Sequence, residues 1–380
     1  MVNVRRLFIL AFSFIVSSGV LAQSLQYETP QARGHVRVIE TLYGDFKVHE
    51  PVLLDLIDSP AVQRMKGIRQ YGVLYFVDPK EYTRYVHSIG VWALLRRYGA
   101  SLEEQIAGLL HDVSHTVFSH VGDVVFNNRS LKSSYQDDIH AWSLEQQGVS
   151  EILAKHGMKL ESILHKNDHF KMLEQDLPDL CIDRIEYNIY GGLLENMITK
   201  EDIEPILEVL TFENGRWFFT DKARAKQFSL ISLYHTEYVW GGLCDFVTYR
   251  FAAHALRRAV EIGLLTFDDI HFSVDDIVWQ KLCSCGDLII KKDLEGLMQY
   301  EKSFVIGTSD NYNLIVKTKF RGVNPWVRCG DSFKRLTESD DDYLCEYNRV
   351  KTTVTQGIKI QGTQEFLDKS ALQNAQLAVS

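Results

Sequence analysis

The chain lacks a positive net charge, a paired zinc-binding cysteine motif and, after its first residues, any long apolar run. Its 50 acidic residues outnumber 41 basic ones, and the formal net charge is -9. It therefore lacks the broad basic surface of a general nucleic-acid-binding protein. Cys283 and Cys285 form one Cys-x-Cys pair without a second pair, which excludes a zinc ribbon. No segment after residue 22 is apolar over the roughly 20 residues that a membrane-spanning helix needs.

The first 22 residues have the pattern of a secretory signal peptide. An arginine pair precedes an apolar run from Leu7 to Leu21, and Ala22 ends a stretch that suits signal peptidase. A membrane anchor is the alternative, but a run of about 15 residues is short for a span. We therefore expect residues 1–22 to be removed and the remaining chain to be exported, into the periplasm or out of the cell.

The cysteines are read in the light of that export. An even number of cysteines in an exported protein permits disulfides, and Cys329 and Cys345 are the pair to test first because they flank an acidic, loop-like stretch. Cys181 and Cys244 lie in apolar helical patterns, which favours buried thiols.

The remainder of the chain is predicted to be mainly helical up to about residue 300. Apolar residues repeat there at three-to-four spacing, as over Thr83–Tyr98 and Leu177–Met197. Ser101-Leu-Glu-Glu104 is a capping box and predicts a helix that continues into His111. Asn214-Gly215 lies between two β-prone runs and predicts a hairpin over Leu210–Phe219, a small appendage to the helices.

The pattern of apolar residues changes after residue 300. Strand-like runs at Phe304–Ile306, Tyr312–Lys319 and Val350–Ile360 predict a mixed α/β C-terminal extension. We therefore expect a signal peptide over residues 1–22, a helical domain over 23–300 and an extension over 301–380 with a partly disordered tail.

Histidine and aspartate residues suited to metal binding occur in three predicted helices. His87 lies three residues after Arg84, Asp112 follows His111 directly, and Asp183 lies in an apolar helical pattern. Their apolar neighbours indicate that these faces turn inward, and a buried His or Asp needs a partner. One shared divalent cation would satisfy all four groups, and imidazole and carboxylate ligands suit Fe, Mn or Zn. Separate core histidines and salt bridges are the alternative.

The wider sequence resembles the HD-domain phosphohydrolases, in particular the branch that contains the animal deoxynucleoside-triphosphate triphosphohydrolase. The ordered motifs are far more specific than a lone His-Asp pair, and with a weaker likeness to about Ile270 they cover well over half of the chain after residue 22. The motifs are Arg37–Glu40, His49–Pro60, Gln63–Gln70, Arg84–Val91, His111–Asp123 and Asp183–Tyr187.

The resemblance implies an HD-domain helical bundle and assigns roles to particular residues. The metal ligands it implies are His87, His111, Asp112 and Asp183. The catalytic group it implies is His115, supported by Asp123 and His140. The substrate contacts it implies are Arg84, His120, Arg184 (where a lysine is usual), Tyr187 and, at the deoxyribose, Gln70.

The implied activity is metal-dependent hydrolysis of a phosphate ester or anhydride in a nucleotide or related small molecule. One divalent ion (Fe, Mn, Zn or Mg) would polarise the phosphoryl group and activate water. Arg84 and His120 would offset charge on the phosphate. His115 would donate a proton to the leaving oxygen, and Asp123 would orient that donor system through His140. A nucleophilic role for the histidine stays open.

Several positions depart from that family branch. Glu237 stands where the branch has an arginine for the distal phosphates, and Asp245 and Gly191 replace a tyrosine and an aspartate that hold the nucleoside. A glutamate near a triphosphate would repel it. We therefore expect a retained metal centre and a changed substrate.

Three further residues fall where the animal enzyme binds a regulatory nucleotide: Arg37, Asp58 and Lys66. Ordinary charges at the surface and the core edge are an equally good interpretation. Relatives form dimers or tetramers, so a homo-oligomer is an expectation by analogy only.

Other classes of function stay open beside the nucleotide phosphohydrolase. One is a phosphodiesterase or phosphomonoesterase. Another is an exported, non-catalytic effector that binds a nucleotide or a metal, and a third is a protein-interaction module, which would hold no metal.

Overall fold

Helices make up most of the chain, as the spacing of apolar residues predicts. The computed structural model describes residues 36–126, 134–164, 168–240 and 242–371, so the predicted signal peptide lies outside the described residues. The helices are α1 Pro51–Ile57, α2 Pro60–Arg64, α3 Arg84–Arg97, α4 Leu102–Leu110, α5 Val121–Val125, α6 Tyr135–Asp138, α7 His140–Gln146, α8 Val149–Lys155, α9 Ile182–Leu194, α10 Lys200–Glu208, α11 Lys222–Tyr234, α12 Leu243–Glu261, α13 Phe267–Phe272, α14 Asp275–Ser284, α15 Leu288–Met298, α16 Leu336–Ser339, α17 Asp341–Gln356 and α18 Gln364–Ala371. No helix within those ranges combines the length and the apolar composition needed to cross a bilayer.

Strands form three small antiparallel or mixed sheets. The strands are β1 Arg37–Thr41, β2 Gly44–Val48, β3 Leu210–Glu213, β4 Arg216–Phe219, β5 Phe304–Ile306, β6 Leu314–Val316, β7 Trp326–Cys329, β8 Ser332–Arg335 and β9 Ile358–Gly362. Their orders are β1-β2, β3-β4-β7-β8 and β5-β9-β6. Small β elements on a mainly helical body confirm the predicted fold class.

The predicted helix starts at Thr83 and Ser101 are confirmed. The Thr83 hydroxyl accepts the Val86 N–H and begins α3, and the Ser101 hydroxyl accepts the Glu104 N–H and begins α4. The predicted end of α4 is one residue too late, because the helix stops at Leu110 and His111 is its C-terminal cap residue. The chain then folds back through a series of turns, which brings the next polar residues to the end of α4.

The long predicted helix over Leu177–Met197 is too long at its N-terminal end. The structure has a loop there and begins α9 at Ile182, with Cys181 as the extended cap residue. Pro178 follows a cis peptide bond and donates no backbone N–H, which suits the loop. Asp183 consequently lies in the first turn of α9.

The hairpin predicted over Leu210–Phe219 is present, but it is not an appendage. Its strands pair as predicted, and β4 then pairs in parallel with β7 through Phe218↔Trp326 and Phe219↔Val327. Trp217, Phe218 and Phe219 are fully buried as a result. The β1-β2 and β7-β8 hairpins were not predicted.

The C-terminal prediction is partly wrong. β5 matches Phe304–Ile306, whereas most of the run predicted as a strand over Val350–Ile360 belongs to α17. Asp340 caps that helix, and the residues that it buries recur at helical spacing: Tyr343, Tyr347, Val350 and Val354. The tail is helical as far as Ala371, and residues 372–380 lie outside the described residues.

The suggested disulfide is not formed. Cys329 ends β7 and Cys345 lies on α17, and both are exposed free thiols. The other cysteines are free as well, and Cys181 is buried as predicted.

Two apolar cores hold the candidate site from both sides. The first contains Leu110 and Val113 at the end of α4, and the second contains Val117, Phe118 and Val121 just before and within α5. The segment from 110 to 121 therefore passes from one core into the other, and burial at both ends fixes its course.

Candidate metal centre

Four side chains meet at the point where the sequence predicts a metal. His87 Nε2 lies 3.1 Å from His111 Nε2 and 3.0 Å from Asp183 Oδ1, and His111 Nε2 lies 3.5 Å from Asp183 Oδ1. Asp112 completes the group, with its oxygens 3.5 Å from His111 Nε2 and 3.7 Å from His87 Nε2. The structure thus brings all four predicted ligands together, and their nitrogen and oxygen atoms face one another.

The far side of each imidazole is held so that Nε2 points inward. His111 Nδ1–H donates to the Gly108 carbonyl at 2.7 Å. His87 Nδ1–H donates to Glu186 Oε2 at 2.5 Å. A hydrogen bond of this kind fixes the tautomer and leaves the other ring nitrogen free to bind a metal.

Glu186 is a functional residue that the sequence analysis missed. Its carboxylate is fully buried and accepts the Tyr82 hydroxyl at 2.5 Å and the Tyr43 hydroxyl at 3.0 Å, besides His87. Gly90 on α3 leaves room for it, because a Cβ there would overlap Glu186 Oε1. The signal was local: Glu186 follows Asp183 by three residues, which places both on one face of α9.

The charges of the site fit a divalent cation. Asp112, Asp183 and Glu186 supply three carboxylates, and Arg84 supplies one guanidinium within hydrogen-bond distance, at 2.8 Å from Asp112 Oδ2. Two negative charges remain, which a divalent ion would neutralise. Burial alone would lower the pKa of His87, but the carboxylates of Glu186, Asp183 and Asp112 raise it to about 10. The carboxylates that raise this pKa would equally stabilise a bound cation.

A second group of possible ligands shares Asp183 with the first. It consists of Glu174, Cys181 and Asp183. Burial raises the pKa of the Cys181 thiol, and burial followed by the charge of Asp183 raises the pKa of Glu174 to about 7. A neutral thiol is a poor ligand, since metals bind the thiolate. The His–Asp group is therefore the better candidate.

His115 lies directly beside the predicted ligands. Its Nε2–H donates to Asp112 Oδ1 at 3.2 Å, while its Nδ1 is buried without a hydrogen-bond partner among the described residues. Burial and the charge of Arg84 lower the pKa of His115 to about 3. With Nε2–H bound to Asp112, Nδ1 is the ring nitrogen that remains available for proton transfer.

The two residues predicted to support His115, Asp123 and His140, make hydrogen bonds nearby. Asp123 accepts the His120 Nδ1–H at 3.1 Å and the Tyr135 N–H at 2.5 Å. His140 lies 3.0 Å from the Ser114 hydroxyl. The bend at Phe118 and Ser119, both with positive φ, places His120 between Asp123 and His115, with its ring centroid 5.0 Å from that of His115.

A narrow crevice lies next to these groups. It is lined by His115, Ser119, His120, Asp123 and Tyr135, among others. The imidazoles and the carboxylate thus lie together beside the metal ligands.

The predicted substrate contacts differ in whether their polar groups already bind other parts of the protein. Tyr187 lies over the site, with its ring 6.5 Å from that of His87, and Gln70 Oε1 is buried without a partner among the described residues. Arg84 already bonds to Asp112 and to the Ser119 hydroxyl. Arg184 turns toward the loop before α9 and donates to the carbonyls of Asp179 and Gln175.

The negative charge of Glu237 is neutralised by an ion pair. Arg349 of α17 binds both of its oxygens, at 2.8 and 2.6 Å. This bidentate pair offsets the repulsion of phosphate that the sequence suggests. Gly191 packs closely against His235. A Cβ at this position would lie only 2.6 Å from a carbon of the imidazole.

The residues at the suggested regulatory site make local contacts. Arg37 forms a bidentate pair with Asp58, at 2.7 and 2.9 Å. Lys66 donates to Gln63 Oε1 at 2.7 Å. These contacts suit ordinary surface charges.

Asp275 of α14 fixes the loop that carries the site. Its two oxygens accept the Phe118 N–H at 2.7 Å and the Arg69 N–H at 2.8 Å. Phe118 and Ser119 both have left-handed backbones, with φ of 58° and 55°, and such residues need support from their surroundings. Ser119 in turn accepts from Arg84 Nε at 3.0 Å, so Asp275 helps to position a guanidinium at the centre.

Substituting Asp275→Asn should lower the free energy of unfolding by about 1–3 kcal/mol, because an amide accepts only one of the two N–H groups through oxygen. The neighbouring Asp276→Asn is the matched control, since Asp276 is half-exposed and pairs with Arg69, and it should cost less than about 0.5 kcal/mol.

Burial raises the pKa of Asp275 to about 7, so its contribution to stability should fall as pH rises from 3.8 toward 7. Urea unfolding at several pH values measures both effects, and equal losses in the two variants would contradict the assignment.

Comparisons with known proteins agree with this geometry. The HD-domain family profile matches residues 84–187, which contain all four predicted ligands. The chain is 37% identical over 238 residues to the uncharacterised protein YdhJ of Bacillus subtilis, covering 62% of this chain and 72% of that protein. It is 36% identical over 255 residues to the metal-dependent phosphohydrolase cns2 of Cordyceps militaris, covering 64% and 70%.

The human deoxynucleoside triphosphate triphosphohydrolase SAMHD1 is 30% identical over 172 residues, covering 40% of this chain but only 25% of that protein. Among solved structures, a hypothetical protein from Aquifex aeolicus covers 90% of this chain with a TM-score of 0.63 and 16% identity. All of that protein is matched. A phosphohydrolase from Bacteroides thetaiotaomicron covers 81%, with 95% of its own chain matched, a TM-score of 0.60 and 16% identity. These two likenesses support the fold.

The chain belongs to the HD-domain phosphohydrolases. The predicted family is thereby confirmed, and with it a metal-dependent hydrolase with a candidate His–Asp metal site.

Proposed function

We propose that the protein hydrolyses a phosphate ester or anhydride bond of a nucleotide or a related small molecule at the centre formed by His87, His111, Asp112 and Asp183. The observation that carries this proposal is that His87 Nε2, His111 Nε2 and Asp183 Oδ1 lie within 3.0–3.5 Å of one another. The two oxygens of Asp112 lie 3.5 Å from His111 Nε2 and 3.7 Å from His87 Nε2. When bound there, a divalent ion polarises a phosphoryl oxygen and makes water acidic enough to act as a nucleophile at neutral pH.

The chain's own residues have distinct tasks in this proposal. Arg84 is held by Asp112 and Ser119 at the rim of the centre, and its charge stabilises the charge that develops on the phosphate. His120 lies beside His115 with its Nδ1–H bound to Asp123, and a second proton on Nε2 would let the ring donate to a phosphate oxygen.

His115 is the proton carrier in this scheme. Its buried Nδ1 is free to take a proton when a negatively charged phosphate arrives, and it can then donate that proton to the leaving oxygen. The proton is supplied by the substrate or by the attacking water, and it ends on the leaving oxygen. Asp123 orients the neighbouring His120, and His140 keeps the loop in place through Ser114.

The bond that is cut can be named from the products. The metal-loaded protein should release phosphate, pyrophosphate or triphosphate from at least one member of a panel of nucleotides, phosphodiesters and phosphomonoesters, tested with Fe, Mn, Zn and Mg. Each product is measured separately. Release of intact triphosphate indicates a triphosphohydrolase, and release of phosphate alone indicates a phosphomonoesterase.

A non-catalytic binder remains the second candidate, and the same assay separates the two. A binder would hold the metal and a nucleotide without forming any product. The proton-carrying arrangement around His115 favours hydrolysis, because binding alone does not require a buried imidazole with an unpaired nitrogen. Absence of any product with every metal would therefore rule against the proposed hydrolase.

We also propose that the protein is exported, on the sequence pattern of residues 1–22. The experiment is N-terminal sequencing of the protein recovered outside the cytoplasm, which should begin at Gln23. Recovery of the intact N-terminus from the cytoplasm alone would contradict export.

A further inference from the structure

A second space in the molecule is a cleft of about 440 Å³ between α2 and the segment from α13 to α14. Among the described residues it shares no lining residue with the crevice beside His115. The residues matched to the regulatory nucleotide site are not among those that line it. A volume of this size suits a small organic molecule. We call it the α2–α14 cleft.

Apolar side chains form most of the walls of the α2–α14 cleft. They come from three places in the chain: Pro60 and Ala61 on α2, Phe272 at the end of α13, and Val274 and Ile277 around the start of α14. Ile277 is 50% exposed, so this wall is accessible from solvent. Apolar walls with few polar groups are typical of sites that hold the hydrocarbon part of a ligand.

Arg64 supplies a positive charge to the cleft. Its Nε–H donates to the Ser273 carbonyl at 3.0 Å, and its two terminal nitrogens donate to the carbonyls of Val113 at 3.3 Å and His115 at 2.8 Å. These bonds use three of the five N–H groups of the guanidinium. One N–H on each terminal nitrogen is left without an acceptor in the described part of the chain.

The guanidinium of Arg64 also lacks a carboxylate in hydrogen-bond contact within the described ranges. Burial lowers the pKa of Arg64 to about 10, and the charge of Asp275 counteracts this only in part, so the group stays protonated at neutral pH. Asp275 itself accepts the N–H groups of Phe118 and Arg69. A half-buried charge without a partner costs free energy, and an anion in the cleft would offset that cost.

We propose that the α2–α14 cleft binds a small molecule that has one carboxylate and an apolar body, with the carboxylate on Arg64. The two free N–H groups of the guanidinium can donate to the two oxygens of a carboxylate. Arg64 is the only charged residue among the described residues that line the cleft, which suits one negative charge and not a polyphosphate. The hydrocarbon body lies against Phe272, Val274 and Ile277.

The cleft is linked to the loop of His115 through the same arginine. Arg64 connects carbonyls of that loop with the Ser273 carbonyl between α13 and α14. The loop is also bound to α13 directly, because the Val117 N–H donates to the Ile270 carbonyl at 2.9 Å. An acid on Arg64 therefore restrains the loop and slows the local opening of its backbone.

Calorimetry on the metal-loaded protein with benzoate, phenylacetate and hydrocinnamate tests this proposal. At least one of these acids should bind about tenfold or more tightly than acetate, which lacks the apolar body, and than the alcohol of the same skeleton, which lacks the charge. Acetate also controls for a carboxylate that binds the metal. Arg64→Gln should weaken binding of the best acid at least about tenfold.

Variants of Ile277 test the same cleft without touching the arginine. Ile277→Glu places a negative charge on the exposed wall and should weaken binding of the acid by about fivefold or more. Ile277→Lys removes the same side chain but adds a positive charge, and it should bind the acid at least as tightly as the wild type.

Ile289→Glu is the matched control for Ile277→Glu. Ile289 of α15 is 44% exposed and is not among the residues that line the cleft. This variant should bind the acid like the wild type. If Arg64→Gln does not fold, as judged by thermal unfolding, the variants of Ile277 carry the test alone.

Hydrogen exchange of the peptide His111–Val121 measures the link between the cleft and the loop. The best acid should slow exchange in this peptide in the wild type and in Ile289→Glu. At the same acid concentration it should slow exchange less in Ile277→Glu, because less acid is bound.

The proposal is overturned if none of the three acids binds more tightly than acetate and its matched alcohol. It is also overturned if folded Arg64→Gln or Ile277→Glu binds the acid like the wild type. Binding without any change in exchange would refute the link to the loop of His115. These measurements involve no substrate and no turnover, so their outcome is independent of the proposed function.

Discussion

Replacing Asp112 with alanine should remove the metal, and replacing His115 with alanine should not. Asp112 reaches both imidazoles of the centre, whereas His115 touches the predicted ligands only through its bond to Asp112. Metal analysis should find about one divalent ion per chain in the wild type and in His115→Ala, and almost none in Asp112→Ala. His115→Ala should nevertheless lose activity by about 10²–10⁴-fold, the range typical of a positioned proton donor.

Two further variants test whether misfolding explains a loss of metal or activity. Asp112→Ala leaves Arg84 buried without its carboxylate, so Asp112→Asn, which keeps an oxygen for Arg84, is measured beside it. His156→Ala is the control for loss of a histidine, because His156 pairs with Asp55 away from the centre and should keep metal and activity. Equal metal content in wild type and both Asp112 variants would refute the assignment, and unchanged turnover in His115→Ala would remove that residue from the reaction.

Glu186→Gln should weaken metal binding by about 10–100-fold although it replaces none of the predicted metal ligands. The substitution keeps the size of the side chain but removes the negative charge that holds the His87 Nδ1–H, at 2.5 Å. His87 would then be a weaker base and less firmly oriented. Competition with a chelator of known affinity gives the dissociation constant of the ion.

Glu195→Gln is the matched control for Glu186→Gln. Glu195 caps the other end of α9, accepts the Tyr71 hydroxyl and pairs with Lys80, and its hydrogen bonds within the described part of the chain involve no imidazole. Its loss should leave the metal affinity unchanged. If both variants bind the ion as the wild type does, the carboxylate does not tune the centre, and a purely structural role for Glu186 remains.

The ligands were predictable because each has a local signature. His111-Asp112, Arg84-x-x-His87 and the apolar surroundings of Asp183 occur within single segments, so spacing alone indicated an inward face. Glu186 had such a signature as well, three residues after Asp183. The tyrosines that bind it had none, because Tyr43 and Tyr82 lie 143 and 104 residues away along the chain.

The same contrast explains the fold. Capped helices such as α3 and α4 were predicted from neighbouring residues, and the hairpin of β3 and β4 from its Asn-Gly turn. The partner of β4 is more than a hundred residues downstream, and no local pattern specifies a pairing over that distance. The prediction around Val350 was wrong because the β-branched residues there individually favour strands. Val350 nevertheless continues the helical spacing of the buried residues Tyr343 and Tyr347, and this spacing favours a helix.

The parallel pairing of β4 with β7 has a practical consequence for anyone who shortens this protein. A fragment that stops near residue 300 would leave one edge of β4 unpaired and expose Phe218 and Phe219. It would also remove Arg349, the ion-pair partner of Glu237. An uncovered apolar strand edge is a template for aggregation. Expression trials should therefore place the C-terminal boundary after α18, at residue 371 or later, if a soluble and homogeneous sample is the aim.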